Sequence, residues 1–222
     1  MTKRRRPLLL VVCDWNGTLI NDLLLSYGAV RAIFEHYHLP SPTLETYRKE
    51  ITADYMKFYT DHGIPKTALR EDMNAIRKAY FEKRWNDVEL YNGAEELLLL
   101  LRQLRLFTGI VSAEIENVLI ARIKQFGIDP FFDHVIGNAW DKEEKLRKIL
   151  DELTISFDEA AYVDDTYDGL TAAKNVGMLS IGVTHGYNTT DRIHAAQPDP
   201  RYVGDSLADV MHIIQKEVGR NR

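Results

Sequence analysis

The chain is poor in the features that settle a protein's class at once. It has a single cysteine, Cys13, in 222 residues. That excludes an internal disulfide and fits a reducing cytoplasm, the expected location. No apolar run is long enough to cross a bilayer, so no membrane partner is expected. Lys3 to Arg6 followed by Leu8 to Cys13 imitates a signal peptide only faintly. Its apolar part is short, an acid ends it and no small-residue cleavage site follows, so the basic run reads as a solvated tail. The net charge of -5 gives no general affinity for nucleic acid. The seven histidines show no metal-ligand spacing, and there is no internal repeat and no low-complexity stretch. The remaining 45% hydrophobic and 27% charged residues are those of an ordinary globular chain, long enough for one domain or a core with a small insert.

The stretch Leu8 to Ile20, LLLVVCDWNGTLI, organises what is there. Six apolar residues read as a strand buried on both faces of a parallel sheet. Such a strand delivers its last residue, here Asp14, to the carboxyl edge where open α/β sheets bind ligands. Gly17 gives a turn that lets a ligand approach the backbone. Cys13 points to the opposite face from Asp14 and reads as a small buried hydrophobe.

From Asn21 or Asp22, a candidate cap, three helical patterns follow with apolar and aromatic residues at steps of three and four. They carry Leu23, Tyr27, Val30, Phe34 and Tyr37, then Leu44, Tyr47, Ile51, Tyr55 and Phe58, then Leu69, Met73, Ile76 and Tyr80. Aromatic stripes at this spacing are core rather than ligands. Nothing between residues 21 and 88 reads as a strand. From Tyr91 on, helices alternate with strands at Leu106 to Val111, Phe131 to Ile136, Ala160 to Val163, Leu179 to Val183 and Tyr202 to Val203. The alternation predicts a parallel sheet covered on both faces. Asp141, with Glu144 three residues on, starts one of the helices as a capping box.

The strand ends therefore bring Asp14 with Thr18, Ser112, Lys142 at a helix start, and Asp164, Asp165 and Asp168 to one edge. The set suits attack by a carboxylate on an electrophile while a hydroxyl, backbone amides and an ammonium group hold an anion. The second acidic group holds a divalent cation, and hard oxygen donors favour Mg²⁺. Phosphoryl transfer of this kind is mostly positioning and charge neutralisation. Taken singly, each residue has a plainer reading: Ser112 as a helix cap, Thr18 as a brace for the turn, Lys142 as a surface lysine with Lys145 as its rival.

Asp14 to Leu19, Asp-Trp-Asn-Gly-Thr-Leu, resembles the first motif of the haloacid dehalogenase-like hydrolases, Asp-x-Asp-Gly-Thr-Leu. Ile110-Val111-Ser112-Ala113 resembles the second, Lys142 the lysine of the third, and Tyr162 to Gly177 the acidic fourth. The helical stretch sits where that family carries its C1-type cap, and the nearest general likeness is the phosphoglycolate phosphatase-like branch. The resemblance implies a Rossmann-like α/β core over residues 1–20 and 89–222 with a small all-helical cap over 21–88. It implies a Mg²⁺-dependent phosphatase for a small phosphorylated metabolite, working through an aspartyl phosphate as a monomer or homodimer. Asp14 would be the nucleophile. Thr18, Ser112, Ala113 and Lys142 would hold the phosphoryl group. Asp14, the Asn16 backbone carbonyl, Asp165 and Asp168 would hold the metal, with Asp164 the alternative to Asp168.

Two positions depart from the family pattern. Asn16 replaces the carboxylate that serves as general acid/base, and an amide has no titratable proton to give. Loss of such help costs roughly 10²–10⁴ in rate. The alternative reading is therefore a catalytically weakened phosphate-binding or regulatory protein. A third, a metal-free dehalogenase, is disfavoured by the acids at 164 to 168. In the fourth motif the family reads Gly-Asp-x-x-x-Asp, and an ungapped match puts Asp165 on the first Asp but Gly169 on the second. Asn16-Gly17 is also a sequence expected to deamidate, a point that mass spectrometry of the tryptic peptide decides.

Overall fold

A computed structural model describes residues 6–68 and 70–219. Lys3, Arg4, Arg5 and Leu69 lie outside the described residues. Six strands form one sheet in the order β3-β2-β1-β4-β5-β6, every pair parallel. The strands are β1 (Leu10–Cys13), β2 (Phe107–Val111), β3 (His134–Ile136), β4 (Ala160–Asp164), β5 (Leu179–Val183) and β6 (Val203–Gly204). Strand β1 lies at the centre, between β2 and β4, and all four of its residues are buried. Its residues alternate between two cores, as a period of two requires. Val11 and Cys13 face one core with Leu97, Leu101, Val210 and Ile214. Leu10 and Val12 face the other with Ile149, Leu150 and Ala173. Burial pushes the Cys13 thiol up to about 12, so it stays protonated and acts as a hydrophobe.

Helices cover both faces. They are α5 (Ala94–Gln103), α6 (Glu116–Gln125), α7 (Lys142–Leu153), α8 (Tyr167–Val176), α9 (Thr190–Ala196) and α10 (Leu207–Gly219). This is the Rossmann-type α/β arrangement that the strand–helix alternation predicts. The strands expected at Leu106, Phe131 and Tyr202 begin later than expected. In the second case a short 3₁₀ turn, Asp129–Phe131, takes the first residues, with Pro130 unable to donate to a ladder.

Between β1 and α5 lie four helices and no strand among the described residues: α1 (Leu23–His36), α2 (Leu44–Glu50), α3 (Tyr55–Asp61) and α4 (Arg70–Glu82). Their buried faces form a separate cluster around Ile33, Phe34, Tyr47, Phe58, Tyr59 and Met73. The aromatic stripes are indeed core: Tyr47 packs edge-on against Phe58, with ring centroids 5.5 Å apart. Helix α4 buries only Met73, so this cluster closes mainly on α1. No helix among the described residues is long and apolar enough to cross a membrane.

Candidate active site

Parallel pairing carries the ends of β1, β2 and β4 to one edge of the sheet, and the expected polar groups gather there. Asp14 follows Cys13 directly and is 4% exposed; Asp164 and Asp165 are fully buried. Oxygens of these three carboxylates lie within 4.8 Å of one another. Lys142, the first residue of α7, reaches between two of them. Its Nζ donates to Asp14 Oδ1 at 2.9 Å and to Asp164 Oδ2 at 2.6 Å. The lysine stands there because Asp141 caps the helix, its carboxylate accepting the Glu144 N–H at 3.0 Å. The rival Lys145 pairs with Glu144 at 2.8 Å instead. Glu144 therefore turns to Lys145, and the second half of the expected capping box is absent: only the Asp141 cap forms.

Burial is the main influence on each charge here. It pushes the Asp14 carboxyl up to about 7, against the opposing pull of Lys142, and Asp164 adds to the rise. It pushes Asp165 well above the carboxylate range, helped by Asp164 and Asp14. Lys142 is held above the usual lysine range: the two carboxylates outweigh the desolvation that opposes its charge. When all are ionised, three carboxylates face one ammonium, and two negative charges remain. The donors are oxygens only. The cluster therefore fits a divalent hard cation such as Mg²⁺ in charge and in chemistry.

Two expected site residues stand elsewhere than their roles require. Asp168 does not join the acidic cluster among the described residues. It is the second residue of α8, turned outward, and its Oδ2 accepts the Ala53 N–H from the helical segment at 2.7 Å. Asp164 takes its place beside Asp14 and Asp165. The reason is visible at Gly169: a Cβ there would lie 1.9 Å from Asp164 Oδ2, so the bare Cα makes room for that carboxylate. The third carboxylate of the cluster thus comes from the end of β4. Thr18 is the second. It is fully buried and its hydroxyl donates to Asp165 Oδ1 at 2.6 Å, so it braces a carboxylate of the cluster.

Asn16 stands on the other side of Asp14. Its Oδ1 accepts the Ser112 hydroxyl at 3.2 Å, and Ser112 in turn accepts the Glu114 N–H at 3.1 Å. Its Nδ2 donates to Asp22 Oδ2 at 2.8 Å and to Glu114 Oε2 at 3.5 Å. Ala113 is half-buried in the turn between Ser112 and Glu114. Asp22 is 2% exposed, and its side chain caps no helix. It accepts from Asn16, from Gly17 N at 3.0 Å and from the Tyr187 hydroxyl at 3.0 Å. Burial pushes it up to about 6 while the Asn16 and Tyr187 hydrogen bonds hold it down. The sequence marks Asp22 only as a candidate cap, Glu114 as a helix start and Tyr187 as part of a turn, and gives none of them a role in the site. No local pattern marks a carboxylate six residues past Asn16 or a tyrosine 171 residues past it, since their meeting is tertiary. Gly17 is needed where these groups crowd: its φ is +78°, and a Cβ would lie 2.4 Å from both Asp165 Oδ2 and the Tyr187 ring.

A family model described as haloacid dehalogenase-like hydrolase matches residues 11–183. A pyrophosphatase PpaX from Listeria welshimeri is 28% identical over 212 residues, covering 92% of this chain and 95% of the relative. A phosphoglycolate phosphatase from Vibrio vulnificus is 31% identical over 156 residues, covering 66% of this chain and 68% of the relative. Among solved structures, a haloacid dehalogenase-like family hydrolase from Streptococcus pneumoniae superposes with a TM-score of 0.73 at 18% identity, covering 92% of this chain and 97% of that one. The last likeness is one of fold.

Proposed function

This chain belongs to the haloacid dehalogenase-like hydrolase family, and we propose that it is a Mg²⁺-dependent phosphatase that cleaves a small phosphorylated metabolite through a phosphorylated Asp14. The observation that carries the reading is the meeting of Asp14, Asp164 and Asp165 around Lys142 at the sheet edge. The relatives named as pyrophosphatase and phosphoglycolate phosphatase support the same substrate class. Asp14, Asp165 and the Asn16 backbone carbonyl would hold the metal, with Asp164 close by. The ion would neutralise charge on the transferring group. Residues 21–88 would act as a cap over the core of residues 1–20 and 89–222.

The chain's own groups divide the work. A carboxylate oxygen of Asp14 bonds to phosphorus while the bond from phosphorus to the leaving oxygen breaks, that oxygen keeping the electron pair. Lys142 holds Asp14 Oδ1, so the attacking group arrives in one orientation. The Ser112 hydroxyl and the turn at Ala113 lie beside the phosphoryl site. Water then attacks the phosphorus of phosphorylated Asp14 and frees phosphate. Asn16 orients by hydrogen bonds and supplies no proton, so a good leaving group, such as that of an acyl phosphate, is favoured.

One observation favours a second reading. The Asn16 amide is engaged on both sides, by Ser112 and by Asp22, which suits a phosphate-binding protein with little turnover. An assay with aryl phosphate, a metabolite panel and Mg²⁺ separates the two. Wild-type turnover that disappears in Asp14→Asn supports the phosphatase. A silent wild type that becomes active as Asn16→Asp supports the binder.

A further inference from the structure

After β5, residues 184–188 run between the acidic cluster and the helical segment. Tyr187 is the residue of this strap that faces both. Its backbone N–H donates to Asp165 Oδ2 at 2.6 Å, and the next N–H, of Asn188, reaches the Asp165 carbonyl at 3.3 Å. Its hydroxyl donates to Asp22 Oδ2 at 3.0 Å, the oxygen that also accepts from Asn16, and is free to accept from the Ser26 hydroxyl on α1, with which it also pairs. Its ring packs on Tyr47 of α2, with centroids 6.2 Å apart. Arg48 of α2 ties the strap from the same side, donating to Thr184 O at 3.1 Å and Asn188 O at 2.9 Å. One residue thus touches a carboxylate of the acidic cluster, the partner of Asn16 and two helices of the other unit.

We propose that Tyr187 is a positioning residue: its hydroxyl, bonded to Asp22, fixes how Asp22 holds the Asn16 amide at the sheet edge. The inference rests on the phosphatase reading only for its consequence in turnover. Phenylalanine would fill the same ring position against Tyr47 and Gly17, so packing alone does not call for the hydroxyl. A half-buried hydroxyl costs free energy unless it is bonded, and here both its partners are specific. Asp22 in turn accepts three donors, and the Tyr187 hydroxyl is the one that comes from across the chain. Without it, Asp22 Oδ2 keeps only the Asn16 amide as a donor, and the hold on that amide loosens.

The test compares Tyr187→Phe with Ser26→Ala, which removes the hydroxyl's other partner. Turnover of p-nitrophenyl phosphate, the Mg²⁺ midpoint and the side-chain amide signal of Asn16 in ¹⁵N NMR, assigned by its loss in Asn16→Asp, are the readouts. In Tyr187→Phe, kcat is expected to fall about tenfold with KM within about twofold. The Mg²⁺ midpoint is expected to hold, because the backbone N–H on Asp165 remains, and the Asn16 signal is expected to shift. Ser26→Ala is expected to move none of the three. Unchanged kcat and an unshifted Asn16 signal in Tyr187→Phe would overturn the proposal, as would equal losses in both variants. A wild type without turnover defeats the phosphatase reading alone, and the Asn16 signal then decides the role of Tyr187 by itself.

Discussion

Two buried carboxylate regions flank Asn16, and they solve the same problem differently. On the side of Lys142, three acids crowd around one ammonium, and burial together with the neighbouring carboxylates raises Asp14 and Asp165. On the side of Tyr187, a single acid, Asp22, takes three neutral donors. Burial costs both regions, since ionised groups lose water. The first is left with surplus charge and calls for a cation from outside. The second is complete within the chain. An amide at position 16 fits the second region: it donates to Asp22, where a carboxylate would stand 2.8 Å from another one. Asn16 and Asp22 are thus a matched pair, and the departure from the family pattern at 16 has a partner at 22.

The contrast breaks most sharply at position 16 itself. Asn16→Asp places like charges side by side, so the pair would share a proton and titrate as a unit. If proton transfer limits the wild type, the variant gains roughly 10²–10⁴ in kcat on substrates with poor leaving groups. The check is a pair of pH–rate profiles with alkyl and aryl phosphates; an equal gain on both denies that leaving-group protonation is what Asn16 lacks. Next in size is Lys142→Met. Removing the ammonium from a buried charge cluster is expected to cost about 3–5 kcal/mol in metal-free urea unfolding. Asp22→Asn, in the satisfied region, is expected to cost only about 1.5–3 kcal/mol for its weakened hydrogen bonds. Reversed rankings would erase the distinction between the two regions.

A smaller effect is a pH slope. Asp14 is raised to about 7 and Asp22 to about 6, so the folded chain holds more protons than the unfolded chain above the ordinary carboxylate range near 4. Stability of the metal-free protein therefore falls as pH rises from about 4 to about 7. Melting in EDTA is expected to be at least about 3 °C higher at pH 5 than at pH 7.5. Excess Mg²⁺ should narrow the gap by holding the carboxylates ionised. A flat profile in EDTA would contradict the sign. The smallest effect concerns Asp168. Asp168→Ala removes one partly exposed bond to Ala53 N and is expected to cost under about 1 kcal/mol, with an unchanged Mg²⁺ midpoint by titration calorimetry. A tenfold weaker midpoint would return Asp168 to the metal.

What the chain spells out locally was legible. A continuous apolar run before Asp14 marks a central parallel strand, and a helix start at Lys142 marks a lysine that can reach the edge. The alternation after Tyr91 gives the sheet. Position 168 misled because spacing along a motif does not say which way a side chain leaves a helix. Asp168 and Gly169 are adjacent, yet only the Cα of Gly169 faces Asp164. Asp22 was hidden by its own plausibility as a cap. Tyr187 stands in a stretch, IGVTHGYN, whose pattern does not tell its role, because its partners lie on β1's turn, α1 and α2, far away along the chain.

The contact between Asp164 and Gly169 has a consequence for descent. A carboxylate on the strand and a side chain on the helix compete for one volume, so the two positions form a single inherited choice. With Asp164 in this orientation, any residue larger than glycine at 169 requires that carboxylate to move. Moving the acid from the strand to the helix therefore changes what both positions can hold.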